Sequence, residues 1–200
     1  MIGFGLAAIT LALLGYLITG PWAQTAAVFD ARAARVAQSV ATPWITSSLK
    51  IITEFGSTLV LTIVGTIAVA AFIVQRRSRA IGCFAIAMSG QITLHEGFKF
   101  LIARPRPPLA FDYTPAESYS FPSGHALASL CVYGILSWLF TRRVHSKRVS
   151  AIVWVLVVGL ILSIGFSRVY FNVHYATDVI AGYLAASIWT VAVSSSDTGH

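Results

Sequence analysis

The chain has 200 residues, of which 56% are hydrophobic and only 10% charged, and its mean hydropathy is +0.77. That composition excludes an ordinary soluble domain and identifies an integral membrane protein. A formal net charge of +7 does not point to nucleic acid, because the cations crowd into short gaps between apolar runs and cover no polar face.

Ile2 to Thr19 is an uncharged run ending at Gly20-Pro21, long enough at about 1.5 Å per residue to cross a hydrocarbon core. The first cation is Arg32, so the run reads as a retained span and not a cleaved signal peptide. From Trp22 to Gly56 the chain is more polar. Phe29, Ala33, Val36 and Val40 recur at helical spacing with Asp30, Arg32 and Arg35 on other faces, the pattern of a helix lying along the membrane surface. Thr42-Pro43 has the form of an N-cap followed by proline at the first helical position, and Gly56 marks the end of this second short helix.

Ser57 to Val74 is the second span, closed by a basic turn through Arg79, and Ala80 to Leu101 is the third. In its second half Gln91, His95 and Lys99 recur every fourth residue beside Glu96. Polar and ionisable groups there are costly unless they face a partner or a wet cavity. Arg104-Pro105-Arg106-Pro107-Pro108 opens a loop to Phe121 that contains Asp112, Tyr113, Glu117 and Tyr119. So long a proline-rich connection is expected to be a rim or lid over a site. Phe121-Pro122-Ser123-Gly124-His125 leads into a fourth span ending near Phe140, Val149 to Phe166 is the fifth, and Tyr175 to Val193 is the sixth. A polar tail, 194–200, is expected to be disordered. Cys83 and Cys131 fall within apolar runs and are expected as buried thiols.

The expected fold is therefore all-α, a polytopic membrane protein with six transmembrane helices plus short interfacial helices on the outer side, forming one membrane-embedded domain over 1–200. The short loops after the second and fourth spans hold Arg76, Arg77, Arg79, Arg142, Arg143, Lys147 and Arg148 with no acid, which by the positive-inside rule places them and both termini in the cytoplasm. The rule decides once Lys99, Arg104, Arg106 and Arg168 are set aside as site residues. Lys99 and Arg106, Ser123 to His125, and Arg168 to His174 then all emerge at the opposite, outer surface.

His174 and Asp178 stand four residues apart where the sixth span begins, so they share a helix face. Asp178 is placed to accept a hydrogen bond from one ring nitrogen and leave the other free to attack. Taken alone, the pair reads as a buried ion contact, Ser123 as a helix cap, and Arg104 and Arg106 as headgroup anchors. Taken together, the three segments supply what phosphoryl transfer requires: fixed positive charge, a nucleophile and an acid.

Lys99 with Arg106-Pro107 after six intervening residues, Pro122-Ser123-Gly124-His125, and Ser167-Arg168 with His174 after five and Asp178 after three more together resemble the tripartite signature of the type 2 phosphatidic acid phosphatase family. The flanking spans resemble its bacterial membrane branch. The resemblance implies that Lys99, Arg106 and Arg168 hold the phosphate oxygens with the Ser123 hydroxyl and the N–H groups of Ser123 and Gly124. It further implies that His174 attacks phosphorus, that Asp178 orients His174, and that His125 protonates the leaving oxygen and then activates water. No metal or other cofactor is called for, since the fixed cations carry the charge and Asp112, Glu117 and Glu96 lack ligand-like spacing.

The implied substrate is a lipid phosphate in the bilayer of a bacterial inner membrane: phosphatidylglycerol phosphate, phosphatidic acid or undecaprenyl pyrophosphate, with lipid A phosphates as the alternative. Discriminating contacts are expected from the loop Pro107 to Ser120, the surface helices, His95 and Glu96. A soluble vanadate haloperoxidase shares the motifs, but the apolar spans argue against it. A non-catalytic anionic-lipid binder or transporter would have no use for His125 beside the His174 and Asp178 pair.

Overall fold

The computed structural model describes residues 2–108, 110–111 and 118–196. Every regular element among them is a helix. In order these are α1 (Ile2–Thr19), α2 (Ala23–Ser39), α3 (Pro43–Glu54), α4 (Thr58–Val74), α5 (Ser78–Ile102), α6 (Gly124–Thr141), α7 (Lys147–Tyr170) and α8 (Ala176–Ser196). Asp112, Tyr113 and Glu117 of the expected rim, and 197–200 of the tail, lie outside the described residues. Ser194 to Ser196, expected as disordered tail, continue α8.

Local chemistry sets several boundaries. The Thr42 hydroxyl accepts from the Ile45 N–H at 3.2 Å with Pro43 following, and Ser57 and Ser146 cap α4 and α7 in the same way at 3.4 Å. Helices α1, α5, α6 and α8 share the main core, where Ala7, Leu11, Ala87, Leu127, Cys131, Ile135 and Ala185 are buried. Cys83 and Cys131 are free and buried. A second cluster packs Ala37 of α2 and Leu49 of α3 against Val169, Tyr170, Phe171 and Val179, at the end of the bundle where α7 stops and α8 starts.

The helices by themselves support part of the expected span count. Four helices, α1, α6, α7 and α8, are long and apolar enough to cross a membrane, and a fifth arises if α3 and α4, bent by 48°, form one broken span. At 17 residues α4 is short by itself. The polar second half of α5 dilutes its hydropathy. On α2 the apolar stripe points outward: Val36 is 70% exposed, and Phe29 and Val40 are about half exposed. The inward face carries Ala26, Ala37 and the carboxylate of Asp30, which is only 3% exposed. A stripe facing lipid and a buried acid facing protein invert the arrangement of a soluble amphipathic helix.

A candidate phosphate site at one end of the bundle

Two helix ends meet at His174. Asn172 takes a left-handed φ of 54° after α7, the Asn172 N–H donates to the Val169 carbonyl at 3.0 Å, and the Val173 N–H to the Arg168 carbonyl at 3.1 Å. These are the paired bonds of a Schellman C-cap. The His174 N–H shares the Arg168 carbonyl at 3.3 Å, so the spacing from Arg168 to His174 is the length of one helix cap. On the other side, Asp178 at the third position of α8 accepts from the Tyr175 N–H at 3.1 Å, as the acid of a capping box does. The sequence thus seats His174 between the end of one helix and the start of the next.

His174 lines a cavity of about 860 Å³ together with Lys99, Arg106, Gly124, His125 and Arg168. Arg106 donates to the Ser118 carbonyl and hydroxyl, each at 2.8 Å, to the Val173 carbonyl at 2.7 Å, and to Nε2 of His174 at 3.3 Å. A guanidinium is only a donor, so Nε2 accepts and the ring proton sits on Nδ1. Arg168, 3% exposed, donates to the Thr53 hydroxyl of α3 at 2.7 Å. Lys99 contacts His95 Nε2 at 3.2 Å, and His95 Nδ1 lies 2.9 Å from a Glu96 carboxylate oxygen. Burial holds the His174 imidazolium down to about 4, against the opposing pull of Asp178 and with the help of Arg168 and Arg106. His174 is therefore neutral at physiological pH with a lone pair on the cavity side.

Asp178 does not touch His174 within hydrogen-bond reach; its Oδ2 stands 3.7 Å from Nδ1. The Ser120 hydroxyl lies between, 3.4 Å from Nδ1 and donating to Asp178 Oδ2 at 2.5 Å. Asp178 Oδ1 is taken by Arg104 at 2.6 Å, and the other arm of Arg104 reaches Asp30 Oδ2 at 2.9 Å. Asp30 also accepts from the N–H and hydroxyl of Thr177, each at 2.9 Å. A buried chain of charges, Asp30 to Arg104 to Asp178, thus ties the surface helix α2 to the floor beneath His174. Ala103, in the left-handed region at φ 45°, turns the chain after α5, and Arg104 then points into the bundle and Arg106 into the cavity.

Gly124 and Gly56 are tight for steric reasons. A Cβ at Gly124 would lie 2.6 Å from His95 Nε2, and one at Gly56 would lie 2.6 Å from Ile164 Cγ2 and 3.0 Å from the His125 ring. The α3–α4 break therefore seats His125. Ser123 departs from the expected geometry. It occupies the N-cap position of α6 without capping it, its backbone N–H is spent on the Asp178 carbonyl at 3.1 Å, and its hydroxyl is fully buried without a partner. The Ser123 N–H is thus not available to an anion, and Gly124 and His125 form the cavity wall at this point.

Sequence reasoning missed Asp30, Thr53 and Ser120, and gave Arg104 no partner. A buried acid on an otherwise amphipathic helix was the one available signal. Ser120 and Thr53 look like any loop or helix polar residue until the fold places them.

The PAP2 superfamily family model matches residues 78–198, which includes all three motif segments. The chain is 29% identical over 163 residues to phosphatidylglycerophosphatase B of Bacillus subtilis, covering 77% of this chain and 76% of that one. It is 33% identical over 126 residues to an undecaprenyl-diphosphatase of Sulfolobus acidocaldarius, covering 59% and 56%. The fold matches the crystal structure of a transmembrane PAP2 type phosphatidylglycerolphosphate phosphatase from Bacillus subtilis with a TM-score of 0.81 at 23% identity, over 98% of this chain and 96% of that one. This chain belongs to the PAP2 superfamily.

Proposed function

We propose that the protein is a metal-independent phosphatase of membrane lipid phosphates acting through a phosphohistidine on His174. The observation that carries this reading is one cavity wall presenting Lys99, Arg106, Arg168, His125 and His174 together. The phosphate lies among the three cations, with the Gly124 end of α6 favouring negative charge. The Nε2 lone pair of His174 forms the N–P bond as the bond to the lipid oxygen breaks, and His125 protonates that oxygen. His125 then takes a proton from water as the water oxygen displaces His174 from phosphorus, releasing inorganic phosphate. Asp178, acting across Ser120, stabilises the positive charge that the phosphorylated imidazole carries between the steps.

The names of the two relatives supply the substrate classes, phosphatidylglycerol phosphate and undecaprenyl diphosphate, with phosphatidic acid as a second glycerolipid. The protein crosses the bacterial inner membrane six times as one domain over 1–200, with α1, α4, α5, α6, α7 and α8 as the spans. Both termini are cytoplasmic and the cavity opens on the outer side. The basic turns at Arg76 to Arg79 and Arg142 to Arg148 support this orientation. The test is phosphate release by the purified protein from a panel of lipid phosphates, with and without EDTA, beside His174→Ala. Release that survives EDTA, is blocked by vanadate and vanishes in the variant is expected. Release requiring a divalent ion, or persisting in the variant, overturns the reading.

A further inference from the structure

Below the cations the same cavity continues between α4, α5 and α6, and its walls differ in kind. Thr58, Thr62 and Thr66 recur every fourth residue on α4 and all line it, while Phe84, Met88 and Ile92 of α5 and Val132 of α6 face them. Gly65 faces the Phe84 ring so closely that a Cβ there would lie 3.2 Å from it. By equal steps from that contact along two antiparallel helices, Thr58 comes level with Gln91, and Thr62 and Thr66 lie successively deeper.

Hydroxyls inside a span ordinarily bond back to the carbonyl one turn earlier. Thr10, Thr19 and Thr141 do so, at 2.8, 2.7 and 2.8 Å. Among the described residues the hydroxyls of Thr58, Thr62 and Thr66 have no hydrogen-bond partner, and neither does the Gln91 amide. A groove built only for hydrocarbon would have no use for four polar groups in line.

We infer that this groove is a subsite for the glycerol ester region of a glycerolipid phosphate, with the threonine hydroxyls and the Gln91 amide donating to ester carbonyl and phosphodiester oxygens while the opposite wall covers the first methylenes of the chains. An isoprenoid carries no acceptor beyond its phosphates and leaves the stripe unanswered. The inference rests on the lipid phosphatase reading and selects, within it, glycerolipid over polyprenyl substrates.

The test compares the full-length, detergent-solubilised protein with a Thr58→Val, Thr62→Val, Thr66→Val triple variant. Valine keeps the β-branched shape of threonine and removes only the hydroxyl, and thermal unfolding in detergent checks that the fold is preserved. Substrates are a diacyl phosphatidic acid, its dialkyl ether analogue and a prenyl diphosphate. With each hydrogen bond contributing modestly, the variant is expected to lose roughly tenfold or more in kcat/KM on the diacyl substrate, mainly through KM. Its activity on the prenyl diphosphate stays within about twofold of wild type, and the wild-type preference for ester over ether disappears. Equal losses on all three substrates make the stripe a route for water or a structural element and overturn the inference. No loss on the diacyl substrate overturns it too. A wild-type protein that releases phosphate from none of the three overturns the phosphatase reading, and the subsite falls with it.

Discussion

Two sides of the helix bundle use small residues for opposite ends. Where α1 and α8 meet, a Cβ on Gly3 would lie 2.0 Å from that of Ala192, Phe4 packs edge-on to Trp189 at 5.5 Å, and the Trp189 N–H donates to the Ala87 carbonyl at 3.0 Å. On its Ala192 side Gly3 has no room for a side chain. Along α4 and α5, Thr58, Thr62, Gly65 and Thr66 border open space. Both sides carry a cavity, and the second is the one that brings the α4 threonines into one wall with the motif residues. Size alone does not mark a site: a larger cavity of about 1190 Å³ near Ile2, Arg79 and Trp189 brings together none of the motif residues.

The contrast is broken most completely at His174. His174→Ala is expected to lower turnover by about ten-thousandfold or more while the helical circular dichroism is unchanged; a variant with near-normal release would remove His174 as nucleophile. Next comes Asp30→Ala, which deprives the buried Arg104 of one of its two carboxylates. Stranding part of a buried charge network is expected to cost about 3 kcal/mol of stability. Displacement of Asp178 should lower kcat by roughly a hundredfold. Wild-type thermal unfolding and kinetics in this variant would reduce α2 to a passive cover.

Ser120→Ala is a smaller perturbation. Loss of the bridge between His174 and Asp178 is expected to lower kcat roughly tenfold with KM preserved, and Ser120→Thr should restore most of it. The pH profile gives a further check. His174 must be neutral to attack, and its proton comes off near pH 4, so kcat/KM has an acid limb that falls as pH drops through about 4, while the need for a protonated His125 gives the profile a second, alkaline limb. Because Asp178 raises the His174 value, the residual activity of Asp178→Asn should show its acid limb at lower pH than wild type. The limb moving upward would contradict the sign. Least effect on chemistry is expected where α1 meets α8 and Gly3→Leu overpacks the seam against Ala192. A loss of about 1 to 3 kcal/mol of stability with unchanged kcat/KM is the expected result.

The positions of the helices were legible because apolar runs and their breakers are local: Thr42-Pro43, Gly20-Pro21 and the basic turns mark them directly. Three motif blocks converged on one cavity because each sits at a helix end and the ends alternate sides. What was illegible depended on which face of a helix turns inward. The α2 stripe of Phe29, Val36 and Val40 marked a surface helix and is exposed as such a helix requires, but the stripe did not show that Asp30 on another face turns into the protein. The His174 and Asp178 pair was read from spacing alone, which fixes a shared face but not a distance, so Ser120 between them was out of view. For the same reason Gln91 was an unexplained polar residue until Thr58 appeared opposite it.

The central claim is that phosphate passes through His174, and chemical trapping tests it most directly. His125→Ala should still permit attack on a substrate with a good leaving group, such as an aryl phosphate, while slowing hydrolysis of the intermediate. Quenched under alkaline conditions, this variant is predicted to carry an acid-labile phosphate on the peptide containing His174, read by mass spectrometry. Turnover of the substrate with no phosphate on His174, or with the label on another residue, would contradict the account.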